Sequence, residues 1–427
     1  MRSGCVPRRF RRPRPSPDRR NDRMALVATH RQVVFRLLPQ TRSGWRLLER
    51  TLEQQRQLYN AALEERIDCY RKTGRSLSYY DQCKALTECR RDLPEMAECP
   101  VAIQRGTLKR LDEAFRHFFR RVRNGEAPGF PRFKGRAFFN SVSVVSGVKV
   151  RDGTLHVPGL GSMSIRRRGG NPHPGGKPVS AVLKRELGKW HAVVCYAVEI
   201  EAPADNGHVL GLDRNGGQVA DSDGEIHDMP DLARLEAQAR RLQRRVSRRR
   251  KGSRRRERAR RHLAKVRRRI ANRRRNWHHH VSRRLAAKAG AVAVEGLDVK
   301  GMTRSAKGTA EAPGTMVAQK SGTNRVILNT GWTALRRMLD YKAANVIIVP
   351  ARNTSRKCHE CGAVEAASRR TRDDFVCMAC GHAAHADLNA AKNIRDKALE
   401  RLAAMNEASG TGASARRAAF ALATSDP

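Results

Sequence analysis

The sequence predicts an α+β multidomain protein whose C-terminal half is an α/β unit with a metal-stapled finger inserted near its end. Three observations carry that expectation. In the first half, short runs of alternating or β-branched residues flank a long stretch of helical periodicity. In the second half, two short apolar strands each end in an acid, Asp213 and Glu295, with a helical hairpin between them. Four cysteines, Cys358, Cys361, Cys377 and Cys380, then stand as C-x2-C-x15-C-x2-C, and Asp387 follows seven residues after the last.

Taken in order, residues 1–24 mix Arg and Pro with little that is apolar and read as a disordered basic tail, with Met24 a possible start. They lack the apolar core of a secretory signal. Residues 25–205 form the first unit. VATHRQVVFRLLP at 27–39 is a strand up to Pro39. From about 41 to 125 the spacing turns helical, through Trp45, Leu48, Leu52, Leu58 and Ala62. The run 104–123 sets Leu108, Leu111, Phe115, Phe118 and Phe119 on one side and basic residues on the others. NGEAPGFPRFKGR follows as a Gly/Pro-punctuated basic loop. SVSVVSGVKV, TLHVPGL, MSIRR and HAVVCYAVEI then read as a small antiparallel sheet.

Residues 206–353 open a second unit with the strand VLGLD and the hairpin QVADSDGEIHD, its turn at Ser222-Asp223-Gly224. Between about 231 and 289 lies an arginine-rich αα-hairpin. Leu232, Leu235, Ala239, Leu242 and Val246 form one half of its apolar seam, Lys251-Gly252-Ser253 breaks it, and Ala259, Leu263, Val266 and Ile270 form the other. AVAVEGLDV is the next strand. A polar loop over about 303–324, a helix LNTGWTALRRMLDYKAA and a strand NVIIVP follow. The finger spans 354–382, a closing helix starting near Leu388 lies within 383–407, and the Gly-, Ser- and Ala-rich residues 408–427 read as a second tail.

Of 427 residues, 87 are Lys or Arg and 41 Asp or Glu, a formal charge of +46. Such an excess repels itself unless a polyanion neutralises it, and nucleic acid is the natural one. A membrane surface is disfavoured: no apolar run reaches spanning length, and no basic amphipathic helix has a rich aromatic face. Within the helical hairpin only Glu236 and Glu257 supply acid after Asp231, so pairing along the helices cannot neutralise its arginines. The other six cysteines, Cys5, Cys69, Cys83, Cys89, Cys99 and Cys195, lack paired spacing, as a reducing compartment permits.

Each C-x2-C turn can aim two thiolates at one tetrahedral Zn²⁺, and a four-cysteine site is closed and structural. The acids suit a hard cation such as Mg²⁺. Asp213 and Glu295 end strands and Asp387 begins a helix, an order that suits an RNase H-like domain binding two Mg²⁺ ions for phosphodiester hydrolysis. Singly, each has a plainer reading: a turn residue, a surface residue and an N-cap. Asp221, Asp223 and Asp298 are weaker candidates. His278, His279 and His280 point in different directions on a helix, so contact with solvent or nucleic acid is expected.

VLGLDRNGGQVADSDG, VAVEGLDVKGM, NTSRKCHECG…FVCMACGHAAHADLNAAKNI and, upstream, QRGTLKRLDEAFRHFFRRVRNGEAPGFPRFKGR together resemble TnpB. These are insertion-sequence-encoded, RNA-guided nucleases related to the compact type V CRISPR effectors, and the resemblance spans roughly residues 25 to 400. It implies a RuvC-type nuclease domain with Asp213, Glu295 and Asp387 as its Mg²⁺-binding acids and a zinc ribbon before the last of them. It also implies a wedge-type β-barrel at 25–205 interrupted by a helical recognition lobe. The implied partners are a guide RNA from the transposon end and double-stranded target DNA cut beside a short adjacent motif, in a prokaryotic cytoplasm. A nuclease-inactive RNA-guided repressor and a transposase acting directly on transposon DNA are the alternatives on this scaffold. One departure is that YKAANVIIVPARNTS is a few residues shorter than the family pattern.

Overall fold

The computed structural model describes residues 26–38, 41–166, 175–201, 203 and 205–409. The two expected tails, apart from the last helical residues up to 409, lie outside them. The first unit opens on β1 (Leu26–Leu38) and a helical lobe of α1 (Arg42–Thr73), α2 (Tyr79–Asp92), α3 (Pro94–Ala97) and α4 (Val101–Arg123). Local chemistry sets these ends. The Thr41 hydroxyl accepts from the Gly44 amide at the start of α1, and Ser78 and Asp81 form a reciprocal capping box on α2.

Six strands follow: β2 (Ser141–Val144), β3 (Lys149–Arg151), β4 (Thr154–Val157), β5 (Gly161–Arg166), β6 (Lys177–Glu186) and β7 (Lys189–Glu201). With β1 they make a seven-stranded sheet in the order β2-β6-β7-β1-β5-β4-β3. Every pairing in it is antiparallel. Its end strands β2 and β3 are joined by only residues 145–148. A flat seven-stranded sheet would hold them about 29 Å apart, whereas that link reaches at most about 18 Å. The sheet therefore curls back on itself, barrel-like, although no ladder among the described residues closes it. Its inner residues, including Leu37, Leu183 and Val194, share one core with Leu48, Leu63, Ile103 and Leu108 of the helices.

The second unit is built on a five-stranded mixed sheet in the order β10-β9-β8-β11-β12. Its strands are β8 (Val209–Arg214), β9 (Gln218–Asp221), β10 (Ile226–Asp228), β11 (Ala291–Glu295) and β12 (Asn345–Val349). β8, β11 and β12 run parallel; β9 pairs antiparallel with β8, and β10 antiparallel with β9. Between β10 and β11 stands the hairpin of α5 (Ala233–Ser247) and α6 (Arg254–Lys288), whose buried seam is the one the periodicity predicts. After β11 come α7 (Val299–Met302), α8 (Val317–Thr330) and α9 (Trp332–Leu339); the ribbon strands β13 (Asp374–Val376) and β14 (Ala383–His385) then lead into α10 (Ala386–Ser409).

α6 and α9 cover one face of the sheet, through Val281, Leu285, Leu335 and Leu339 on Leu210, Leu212 and Val292. α10 covers the other, through Ile394 and Ala398 on Val209, Ala293 and Ile347.

The structure corrects four sequence expectations. The polar loop at 303–324 is helical from Val317, and the helix expected across LNTGW is broken at Gly331, whose φ of +61° is left-handed. The last helix begins at Ala386, two residues before Leu388. His278 is buried rather than solvent-facing, its Nε2 beside the Thr330 carbonyl and the Arg214 guanidinium. The shortened segment before the ribbon does not displace β12, which pairs with β11 over its whole length.

The two layers approach very closely where α10 crosses β8. A Cβ added at Gly211 would fall 2.1 Å from the Ala391 carbonyl oxygen and 2.5 Å from the Arg395 amide nitrogen, both backbone atoms that cannot swing away. Gly211→Ala should therefore force the helix off the strand, destabilising the chain by about 3 kcal/mol or more. The check is a thermal melt, in which the variant unfolds several degrees below the parent; an unchanged midpoint would contradict this packing.

Candidate metal centres at the sheet edge and in the ribbon

The parallel register decides where the acids emerge. Leu212 is paired with Val294, so the next residues, Asp213 and Glu295, leave β8 and β11 side by side at the same edge. Strand alternation decides the face. Leu212 and Val294 pack toward α6 and α9, while Gly211 and Ala293 lie against α10, which sets Asp213 and Glu295 on the α10 side. Asp387, in the first turn of α10 and 1% exposed, completes the group. A largely apolar cavity of about 290 Å³, lined by Leu212, Val219, Val294, Trp332 and Leu335, lies against the opposite face and reaches Glu295 at this edge.

Each acid is held by specific partners. Asp387 Oδ2 accepts from Asn215 Nδ2 at 2.8 Å and Gln218 Nε2 at 2.9 Å, both from the tight β8–β9 turn. Its Oδ1 faces Arg369 Nη2 of the ribbon at 3.4 Å. The Thr354 hydroxyl donates to Glu295, and Lys397 of α10 lends it a positive field. Burial, followed by the charges of Glu295 and Asp387, pushes the Asp213 carboxyl up to about 8, against the opposing pull of the Arg214 amide and Arg369. Burial also raises Glu295, while Thr354 and Lys397 oppose it.

Three further residues thus belong to the site without having been legible in the sequence. Asn215 and Gln218 carried a weak signal, as amides two and five positions after a strand-ending acid. Arg369 carried none, being one arginine among many. The weaker acidic candidates have structural roles. Asp298 caps α7 by accepting from the Gly301 amide. Asp221 is fully buried, accepts from the Asp223 and Glu225 amides, and with Asp223 binds Lys288 Nζ at 3.0 and 2.9 Å. Asp221, Glu225 and His227 are close enough to hold an ion, but the Lys288 ammonium already supplies the cation there.

The ribbon is two copies of one turn. Gly362 N donates to Cys358 O at 3.0 Å and Gly381 N to Cys377 O at 2.9 Å, with φ of +76° and +74° at the two glycines. The four sulfurs gather within 4.8 Å, with Cys358 to Cys380 at 3.8 Å and Cys361 to Cys377 at 3.6 Å. A tetrahedral zinc with Zn–S of about 2.3 Å requires sulfurs about 3.8 Å apart, so the residues fit that ion. Amides of Cys380 and Ala379 help hold the Cys377 thiol down at about 7, toward the thiolate that a metal needs. Asn389 and Asn393 of α10 donate to the Lys357 carbonyl, and Asn389 also accepts from the His359 amide, so the ribbon is fastened to the helix that carries Asp387.

A sheet edge lined with acids, a closed four-cysteine ribbon and an arginine-covered hairpin define a nucleic-acid-handling α+β protein with a four-cysteine metal site. Comparison with known proteins makes this more specific. A family described as "Probable transposase" (OrfB_IS605) matches residues 193–306, and one described as "Cas12f1-like, TNB domain" matches 332–394. The chain is 30% identical over 365 residues to "Putative RNA-guided DNA endonuclease" of Streptomyces pristinaespiralis, covering 81% of this chain and 84% of the relative. It is 29% identical over 348 residues to "Putative RNA-guided DNA endonuclease InsQ" of Escherichia coli (strain K12), covering 79% and 85%. The chain belongs to the OrfB_IS605/TnpB family, with a Cas12f-like TNB domain. Among solved structures, a Cas12f1–sgRNA–target DNA complex aligns at 16% identity and TM-score 0.30 over 86% of this chain and 99% of that one. CasPhi-2 (Cas12j) bound to crRNA aligns at 12% and 0.40 over 87% and 98%. Alignments this loose add nothing to the topology set by the chain's own strands.

Two predictions follow from the two centres. In metal-free protein the folded chain keeps on Asp213 a proton that the unfolded chain releases near pH 4. Stability from this group therefore falls as pH rises from about 4 to about 8. Asp213→Asn should remove that dependence and raise the melting midpoint by roughly 1–3 °C at pH 8 and by less at pH 5; an equal effect at both would contradict the repulsion. For the ribbon, metal analysis should find one zinc per chain. Cys361→Ser should release it and lower the melting temperature, and full stability without zinc would refute the structural role.

Proposed function

We propose that the chain is an RNA-guided DNA endonuclease that cuts through a RuvC-type, RNase H-like site formed by Asp213, Glu295 and Asp387. The observation that carries this reading is the convergence of the three acids on one edge and one face of the sheet. The names of the relatives supply the guide RNA and the DNA target, with sequence readout falling to base pairing. The curled first sheet would serve as the wedge barrel, and α1 to α4 as the recognition lobe.

The acids offer only oxygen, the donor set of Mg²⁺. When bound, Mg²⁺ supplies charge stabilisation at the attacking and leaving oxygens. The chain's own groups do the rest. Asn215 and Gln218 occupy Oδ2 of Asp387 and so fix its other oxygen toward the edge. Thr354 orients Glu295. Arg369 stands where a phosphate oxygen would approach Asp387 and can neutralise charge developing on it. Zinc holds the ribbon, and through it Arg369, in place and takes no part in the chemistry.

Purification from cells carrying the native locus, sequencing of the bound RNA and a plasmid-cleavage assay test this. A defined RNA should copurify, and Mg²⁺-dependent cleavage should follow its sequence. Asp213→Ala should abolish cutting, and Arg369→Ala should slow it roughly 100-fold or more with the protein still folded. Absence of a defined RNA, or an Asp213→Ala variant that cuts like the parent, would overturn the proposal; joined rather than cut DNA would favour strand transfer.

A further inference from the structure

α4 carries its apolar face beyond the point where the rest of the lobe covers it. Ile103, Leu108 and Leu111 are buried, but one turn further Phe115 and Phe118 are only half-buried and Phe119 is 50% exposed. Phe130, from the basic loop after the helix, returns to the same place and is 48% exposed. The four rings close into one cluster. Phe130 lies 5.6 Å from Phe115 and 5.3 Å from Phe118, and Phe119 lies 5.1 Å from Phe118 and 6.3 Å from Phe115.

The cluster rests on a fixed base. The buried Arg66 guanidinium sits 5.0 Å from the Phe115 ring and is held by Gln82 and Asp112. Around it, Arg120, Arg121, Arg123 and Arg132 are exposed and have no carboxylate partner among the described residues.

We propose that this aromatic shelf stacks unpaired bases of a single-stranded nucleic acid while the flanking arginines hold its phosphates. Apolar surface left open on a soluble protein marks a contact site. Here the surface is aromatic, and ring faces accept any base by stacking. The unpaired arginines select a polyanion over an apolar protein surface. A second copy of this chain would bring the same arginines and be repelled. The strand is either the RNA or the DNA of the endonuclease reading, on which this inference rests for its source; an unstacked base beside a phosphate is common to both.

Full-length protein would be irradiated with single strands containing 4-thiouridine (RNA) or 4-thiothymidine (DNA), and the adducts mapped by mass spectrometry. Adducts are expected within residues 115–133. Phe119→Ala with Phe130→Ala should reduce them roughly tenfold, leave adducts on the arginine-rich hairpin intact and leave the melting midpoint unchanged. Phe119→Trp should retain them. Adducts with RNA alone, DNA alone or both uphold the shelf and identify its strand. Adducts confined to other segments, yields unchanged in the double variant, or a variant that instead shifts from dimer to monomer would overturn it. Plasmid cleavage by the same preparations separates the two readings. Cleavage without shelf adducts removes the shelf and spares the endonuclease, and adducts without cleavage do the reverse.

Discussion

The acidic edge depends on how closely α10 can lie against β8. At Gly211 the strand has no side chain, and the helix backbone takes the space that a methyl group would fill. The helix meets it with small residues, Ala390, Ala391 and Ala398, all buried beside Ile394. That approach sets the first turn of α10, and with it Asp387, against the ends of β8 and β11. The ribbon inherits the same placement, because Asn389 and Asn393 tie its first cysteine turn to this helix. Helix packing, acid geometry and the position of Arg369 are therefore consequences of one backbone contact.

Charge is distributed with the same economy. A chain of net charge +46 concentrates three carboxylates at one edge, where burial and mutual repulsion drive Asp213 toward its protonated form. Arg369, Lys397 and two side-chain amides temper the repulsion. The opposite sign is spread over α6, where Arg258, Arg261, His262, Lys265 and Arg269 line a groove along one side of the helix. The few acids near the hairpin, Glu236, Glu257, Glu225 and Glu186, pair with Arg274, Arg260, Arg284 and Arg268, leaving most of its arginines for an external polyanion. The two surfaces suit successive needs of nucleic-acid chemistry, holding a backbone and then gathering cations around a phosphate.

Much of this was legible in the chain. The seam of α5 and α6 was readable because its apolar residues repeat at helical spacing, and the ribbon because thiolate pairs need a fixed turn. What failed to show had weaker local marks. α8 has little amphipathic character, with only Ile327 and Thr330 buried, so its sequence reads as a polar loop. His278 looks like its neighbours His279 and His280, yet it alone turns toward the Gly331 break and the Arg214 guanidinium.

The sequence by itself determined most of the elements and, to within a residue, the ends that carry acids: strands stopping near Asp213 and at Glu295, a helix starting beside Asp387, and four cysteines in two matching turns. Periodicity and short spacing are local properties, set by backbone geometry over a few residues. Only the tertiary structure decided that the acids share one face, that Asn215 and Gln218 both grip Asp387, and that Arg369 reaches it from the ribbon. Those facts follow from strand register and from the distance between α10 and β8, which join residues distant in the chain, Asn215 and Asp387 being 172 positions apart. No local pattern encodes them, because their energy appears only once the layers have packed.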